Sequence, residues 1–213
     1  MKLNFLKLNQ VILVIIFAQF VFTVAANLSV PFFALFVVQD IGAAAAAVGF
    51  ASAIYWVVKS VLQLPLARWI DKNHGEIDDY YSLLIGLTIT ITGLFLFYFA
   101  RELWHIFAIQ ALIGVGDAFV VPPLYAIFSR HLDHDSEGFE WAVQSSFSVG
   151  AGSALGGTLS GILVGLLGIR PLFLINGTLM FIGLVILLFL KPYIRPKVPT
   201  PVGGRVFLEQ KRV

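Results

Sequence analysis

Two charged residues stand inside long apolar runs of this sequence: Lys59, in "IYWVVKSVLQL", and Asp117, in "ALIGVGDAFVV". A charge at the middle of a lipid bilayer costs about 2.5 to 3.5 kcal/mol on insertion scales, so each asks for a partner or a wet cavity. Both residues belong to polar stripes. Ser52, Trp56, Lys59 and Gln63 follow a 4, 3, 4 spacing; Gln110, Asp117 and Tyr125 align through Gly114 and Val121; Gln19, Thr23 and Asn27 recur every four residues. On helices each set lies along one face. Such a constellation suits either a solute or proton pathway, in which Asp117 changes protonation and Lys59 tunes it, or a static ion pair with ordinary hydrogen bonds between helices.

Other groups with chemical potential fall away on inspection. Asp71 and His74 in "LARWIDKNHGE" have acid/base spacing, yet Trp69, Arg68 and Lys72 mark this stretch as the point where a helix leaves the membrane. His131, Asp133, His134 and Asp135 crowd one loop without the rigid spacing of a metal site. Ser153 in "GAGSALGG" lacks the histidine on a facing helix that a serine hydrolase needs, since the sixth apolar span contains none. With no cysteine in the chain there is no thiol chemistry. No metal and no cofactor is called for, and no enzymatic activity.

The elements that position Lys59 and Asp117 are plain in the composition. Of 213 residues 59% are hydrophobic and 12% charged, against roughly 25% charged in a soluble domain. Six apolar segments are long enough for a hydrocarbon core that takes about 20 helical residues. They are Val11 to Val38, Ala44 to Leu66, Ser82 to Ala100, Trp104 to Phe128, Trp141 to Leu167 and Pro171 to Leu190. The reading is an all-α membrane protein with a cytoplasmic N-terminus (1–10), a six-helix transmembrane domain (11–190) and a flexible cytoplasmic tail (191–213). The first span continues past the signal-like "VAA" at 24–26 and reads as a retained anchor.

Orientation follows from the basic residues. With the termini inside, Lys2, Lys7, Arg68, Lys72, Arg130 and the tail's basic residues lie on the cytoplasmic side of an inner membrane, and Arg101 and Arg170 lie outside. A formal charge of +2 spread in this way speaks for contact with membrane lipid and against nucleic acid. "PFFALF" at 31–36 recurs as "PLYAIF" at 123–128, in spans that run in opposite directions, which points to two inverted three-helix repeats. The fifth span carries glycines at four-residue spacing, Gly157, Gly161 and Gly165, with Gly152 and Gly156 on a neighbouring line. Such rows predict a helix-packing seam.

In this arrangement the chain resembles one six-helix half of the major facilitator superfamily. Ala67, Asp71 and Lys72 take positions of that family's motif between helices 2 and 3, with Gly75 one residue late. The motif's leading Gly is Ala67 here, and its basic pair is replaced by "EIDD" at 76–79. The resemblance implies that Asp71 pairs with Arg130 at the end of helix 4. Ser148, Gly152, Ser153, Gly156 and Gly157 are similar to the family's antiporter motif, with Ser in the place of Pro. Where the family often has an Arg in helix 4 this chain has Gln110 before Ile113 and Gly114, which leaves proton coupling to Asp117. Fold and function implied are half of a facilitator fold and secondary transport of a small-molecule solute by alternating access. Completing the site then calls for a second half, either a homodimer partner or another chain. A non-transporting scaffold or accessory subunit, or a fragment of a longer transporter, is the alternative.

Overall fold

The computed structural model describes residues 8–71 and 75–196. Their ordered elements are helical, and six helices are long and apolar enough to cross a membrane. They are α1 (Gln10–Asp40), α2 (Ala45–Asp71), α3 (Ile77–Phe99), α4 (Leu103–Arg130), α5 (Glu137–Leu167) and α6 (Arg170–Leu188). The chain is a multi-pass membrane protein.

Helix ends outrun the apolar segments. α2 continues beyond Leu66 to Asp71, and α3 begins at Ile77, not Ser82, with Asp78 and Asp79 in its first turn. α5 likewise starts at Glu137, with Glu137 and Glu140 in its first turn. Hydrophobicity marks the hydrocarbon boundary, whereas a helix persists until its backbone is stopped, and acidic first turns favour the positive end of the helix dipole. Pro31 has a larger effect. It cannot donate to the preceding turn, and α1 passes through a 3-10 turn at Val30–Phe32 and a π-helical stretch at Phe36–Asp40. Pro122 and Pro123 are accommodated inside α4 without interruption.

The packing has an internal symmetry. α1 packs against α5 and α6, α4 packs against α2 and α3, and α3 packs against α6. Exchanging α1 with α4, α2 with α5 and α3 with α6 maps these main packings onto one another, as an inverted repeat requires. α2 and α5 are the least covered members, with only 11% and 17% of their apolar stretches buried against 50% for α1, α3 and α4. Two apolar clusters fill the bundle. One joins Ile12, Ile15, Leu83, Leu87, Ile127 and Leu187. The other is aromatic, with the Phe36 and Phe97 rings centred 4.8 and 4.9 Å from that of Phe173.

The glycine seam is on one line only. A Cβ on Gly152 would lie 3.0 Å from Thr23, and one on Gly156 would strike the Val24 carbonyl and the Asn27 side chain of α1. Gly157, Gly161 and Gly165, expected to pack as well, face open space. They lie on the uncovered side of α5, one residue round the helix from the line that meets α1.

Candidate solute site

The site is assembled by a four-residue stretch of α4, Gly114-Val115-Gly116-Asp117. α4 must lie against α2 and α3 at once for one carboxylate to reach both, and the glycines allow it. A Cβ on Gly114 would sit 2.8 Å from the Tyr55 carbonyl of α2, and one on Gly116 would sit 2.8 Å from the Gly86 carbonyl and 2.9 Å from the Thr90 nitrogen of α3. Close backbone approach then delivers the donors. Tyr55 Oη donates to Asp117 Oδ2 at 2.6 Å, and Thr90 Oγ1 donates to Oδ1 at 3.1 Å. Hydrogen bonds to an ionised acceptor are the stronger kind, and each oxygen has one.

Lys59 joins through Tyr55. Its Nζ donates to Tyr55 Oη at 3.2 Å and lies 4.9 Å from the centre of the Trp56 ring and 5.4 Å from that of Tyr55. These distances are within cation–π range. Lys59 and Asp117 therefore form a hydrogen-bonded chain with tyrosine in the middle, not a direct ion pair. Tyr55 lies one turn before Lys59, and that i, i+4 relation makes the bridge available.

Asp117 opens onto a cavity of about 570 Å³ lined from α1, α2, α3, α4 and α6. Its lining residues lie in the halves of those helices nearest Asp40, Ala100 and Arg170, from mid-bundle outward. Ser52, Trp56, Gln110 and Asn176 contribute polarity, and Phe33, Phe97 and Phe173 supply aromatic walls. Asn176, 2% exposed, donates from Nδ2 to Ser29 Oγ at 2.7 Å and so ties α6 to α1.

Of the residues singled out in the sequence, Trp56, Gln110 and Asp117 line this cavity and Lys59 stands beside it. Gln19, Asn27 and Tyr125 do not line it. The Gln19 stripe points toward α5: Thr23 Oγ1 donates to the Gln19 carbonyl at 2.9 Å, and Asn27 Nδ2 donates to the Thr23 carbonyl at 2.9 Å and to Ser153 Oγ at 3.2 Å. Tyr125 lies well down α4 from Asp117, its ring 6.0 Å from that of Trp141. Tyr55, Thr90 and Asn176 were not anticipated. Asn176 was discoverable as the one amide in the sixth span; Thr90 was not, because threonine is ordinary in such spans.

The bundle is clasped at both ends. On the face that carries Asn9 and Arg195, Arg130 at the end of α4 pairs with Asp79 at the start of α3. Asp79 belongs to the "EIDD" run, so the acid comes from the stretch in which the chain departs from the motif. The expected partner, Asp71, has a side chain outside the described residues, as does Lys72; Ala67 belongs to the last turns of α2 and Gly75 stands before α3. Beside this pair Glu76, 2% exposed, exchanges hydrogen bonds with the Arg195 backbone at 2.9 and 3.0 Å and lies 3.6 Å from His131. Asn9 donates to the His131 carbonyl at 2.6 Å and to Asp133 Oδ1 at 3.2 Å. The histidine and acid-rich loop thus serves the clasp.

On the opposite face Asp40 ends α1 and pairs at 3.3 Å with Arg170, which begins α6. Arg170 also donates to the Ala100 carbonyl at 2.5 Å, just past α3. The symmetry that exchanges α1 with α4 and α3 with α6 superposes these two clasps with the charges reversed: the helix end carries the base, Arg130, on one face and the acid, Asp40, on the other.

Comparison with known proteins agrees with this architecture. The sequence pattern of the Major Facilitator Superfamily matches residues 15–212. The Multidrug resistance protein MdtG of Proteus mirabilis (strain HI4320) is 34% identical over 93 residues, 43% of this chain and 22% of that protein. MdtG of Rahnella sp. (strain Y9602) is 27% identical over 129 residues, 61% of this chain and 29% of that protein. Among solved structures, the POT family transporter PepTSo superposes with a TM-score of 0.73 at 17% identity, covering 91% of this chain and 40% of its own. A POT family transporter in complex with 5-aminolevulinic acid gives 0.73 at 16% identity, covering 89% and 41%. At these identities the structural likeness is one of fold, and the chain spans less than a third of its curated relatives. Six helices in an inverted repeat, with the family pattern running along nearly the whole chain, place it: this chain belongs to the Major Facilitator Superfamily.

Proposed function

We propose that the chain is one half of a secondary transporter that moves a small organic solute across a cell (inner) membrane, with its termini cytoplasmic. The observation that carries this reading is Asp117, a carboxylate held by Tyr55 and Thr90 at the edge of a cavity of about 570 Å³ among membrane-spanning helices. That volume is in the range of small-molecule sites, roughly 300 to 1,000 Å³. Two relatives named for multidrug resistance support an organic solute. The uncovered sides of α2 and α5 supply the surface for a second half, either another copy of this chain or a separate one. Asp117 takes up and releases the coupling proton, and the two halves rock about the cavity to expose it to each side in turn.

The experiment is transport in membrane vesicles by wild type and Asp117→Asn, with membrane insertion measured in parallel. The variant inserts normally and loses coupled transport; transport at the wild-type rate rules out the role given to Asp117. One observation favours a second reading, a static scaffold. Both Asp117 oxygens are engaged, so the cluster also fastens α2 and α3 to α4. Under that reading the double variant Lys59→Met with Asp117→Asn keeps the protein's activity intact.

A further inference from the structure

Resting on that reading of the cavity, we infer that its solute is an organic monocation and that Lys59 is a tethered competitor for the same carboxylate. Among the described residues lining the cavity Asp117 is the one with a formal charge, and the walls around it are aromatic. A carboxylate with π faces around it attracts a positive charge on an apolar body and repels an anion, and low surrounding polarity strengthens both effects. Among the described residues no guanidinium or ammonium lines the cavity to reverse that preference.

Lys59 marks how an ammonium rests at this place. It sits 4.9 Å from the Trp56 ring and 3.2 Å from Tyr55 Oη, whose proton goes to Asp117 at 2.6 Å. Trp56 and Tyr55 both line the cavity, so the aromatic pair that holds the lysine also faces the solute. Lys59 lies beside that lining and reaches Asp117 only through the tyrosine hydroxyl. With the cavity empty, Lys59 balances the carboxylate; with a cation bound at Asp117, two like charges share one hydrogen-bonded chain and repel. The lysine thereby lowers affinity for the solute and favours its release. The other charges on facing elements are remote: Arg170 is paired with Asp40, and Arg130 with Asp79, at the two ends of the bundle.

The test is equilibrium binding to the purified full chain in detergent, with tetraphenylphosphonium and tetraphenylborate as probes of one shape and opposite charge. The readout is the ratio of cation to anion affinity. Lys59→Met raises that ratio about tenfold and Asp117→Asn lowers it by at least about tenfold, as expected when one nearby unit charge is removed from a poorly solvated site. Lys59→Arg, which keeps the charge, leaves it within about twofold. Should Lys59→Met fail to fold, as read by thermal unfolding, Lys59→Gln replaces it with the same expected rise. An unchanged or lowered ratio on neutralising Lys59 overturns the competitor role, and a ratio insensitive to Asp117→Asn overturns the cationic solute. Neither result touches the transport reading, which stands or falls on solute movement by the Asp117→Asn variant.

Discussion

Asp117 is held by contacts from two helices, α2 and α3, and each contact can be removed singly. Tyr55→Phe deletes the donor to Oδ2 and the link to Lys59, and Thr90→Val deletes the donor to Oδ1. A hydrogen bond to a charged acceptor is worth about 1.5 to 3 kcal/mol in water-soluble proteins, and bonds between membrane helices average nearer 0.6. Each variant is therefore expected to lose about 1 kcal/mol, measured by unfolding in detergent. The glycines beside Asp117 give a steric counterpart. Gly116→Ala forces a methyl group into the Thr90 side chain and the Gly86 carbonyl, an overpacking that costs about 1 to 3 kcal/mol, whereas Gly161→Ala meets open space and leaves the unfolding transition of the isolated chain unchanged. At this scale the sequence was partly legible. Lys59 and Asp117 stood out because charge in hydrocarbon is expensive, and Trp56 and Gln110 followed from helical spacing. Tyr55 stayed hidden because a tyrosine next to a tryptophan in an apolar span looks like packing, and only the approach of α2 to Gly114 turns its hydroxyl toward α4.

Between elements, the sequence pattern located all six helices but not their ends or their mates. The α3 start lay inside a stretch that hydropathy assigns to a loop, so the sequence did not place Asp79 at a helix start where it meets Arg130; the Asp71 to Arg130 pair that the family motif implies rests on a side chain outside the described residues. Polar stripes on α1 and α4 were assigned to the cavity on spacing alone, yet a stripe fixes a face and not the neighbour that the face meets. The α1 stripe meets α5, and the cavity takes Ala26, Ser29, Val30 and Phe33 of α1 instead. The clasps bear directly on these ends. Arg130→Ala leaves the Asp79 carboxylate, 1% exposed, without its partner, and an unpaired buried charge costs about 3 to 5 kcal/mol; Asp79→Ala leaves Arg130, which is 36% exposed, and costs less because solvent screens it. The double variant is expected to be less destabilised than the sum of the two, by denaturation in a double-mutant cycle. Additive losses contradict the pairing. Asp40→Ala and Arg170→Ala, whose side chains are 27% and 19% exposed, give the same coupling with smaller amplitude because solvent screens them.

For the whole molecule, the inverted repeat leaves α2 and α5 with uncovered flanks and walls the cavity from one six-helix unit. Gly157, Gly161 and Gly165 lie on the open flank of α5, where a glycine row allows another helix to approach closely. In lipid nanodiscs the active species is therefore expected to pair two six-helix units, and Gly161→Leu is expected to weaken that association while leaving the unit folded; activity from a strict six-helix monomer contradicts the two-half reading. In the proposed cycle the cavity beside Asp117 is reached from both sides of the membrane in turn. The chain has no cysteine, so Ser52→Cys introduces a single thiol into the cavity wall. Labelling of that thiol by a membrane-impermeant maleimide, added to one side of sealed vesicles or the other, measures access directly. Labelling from both sides is expected, with the ratio of the two rates displaced by Asp117→Asn; labelling confined to one side in every state contradicts alternating access.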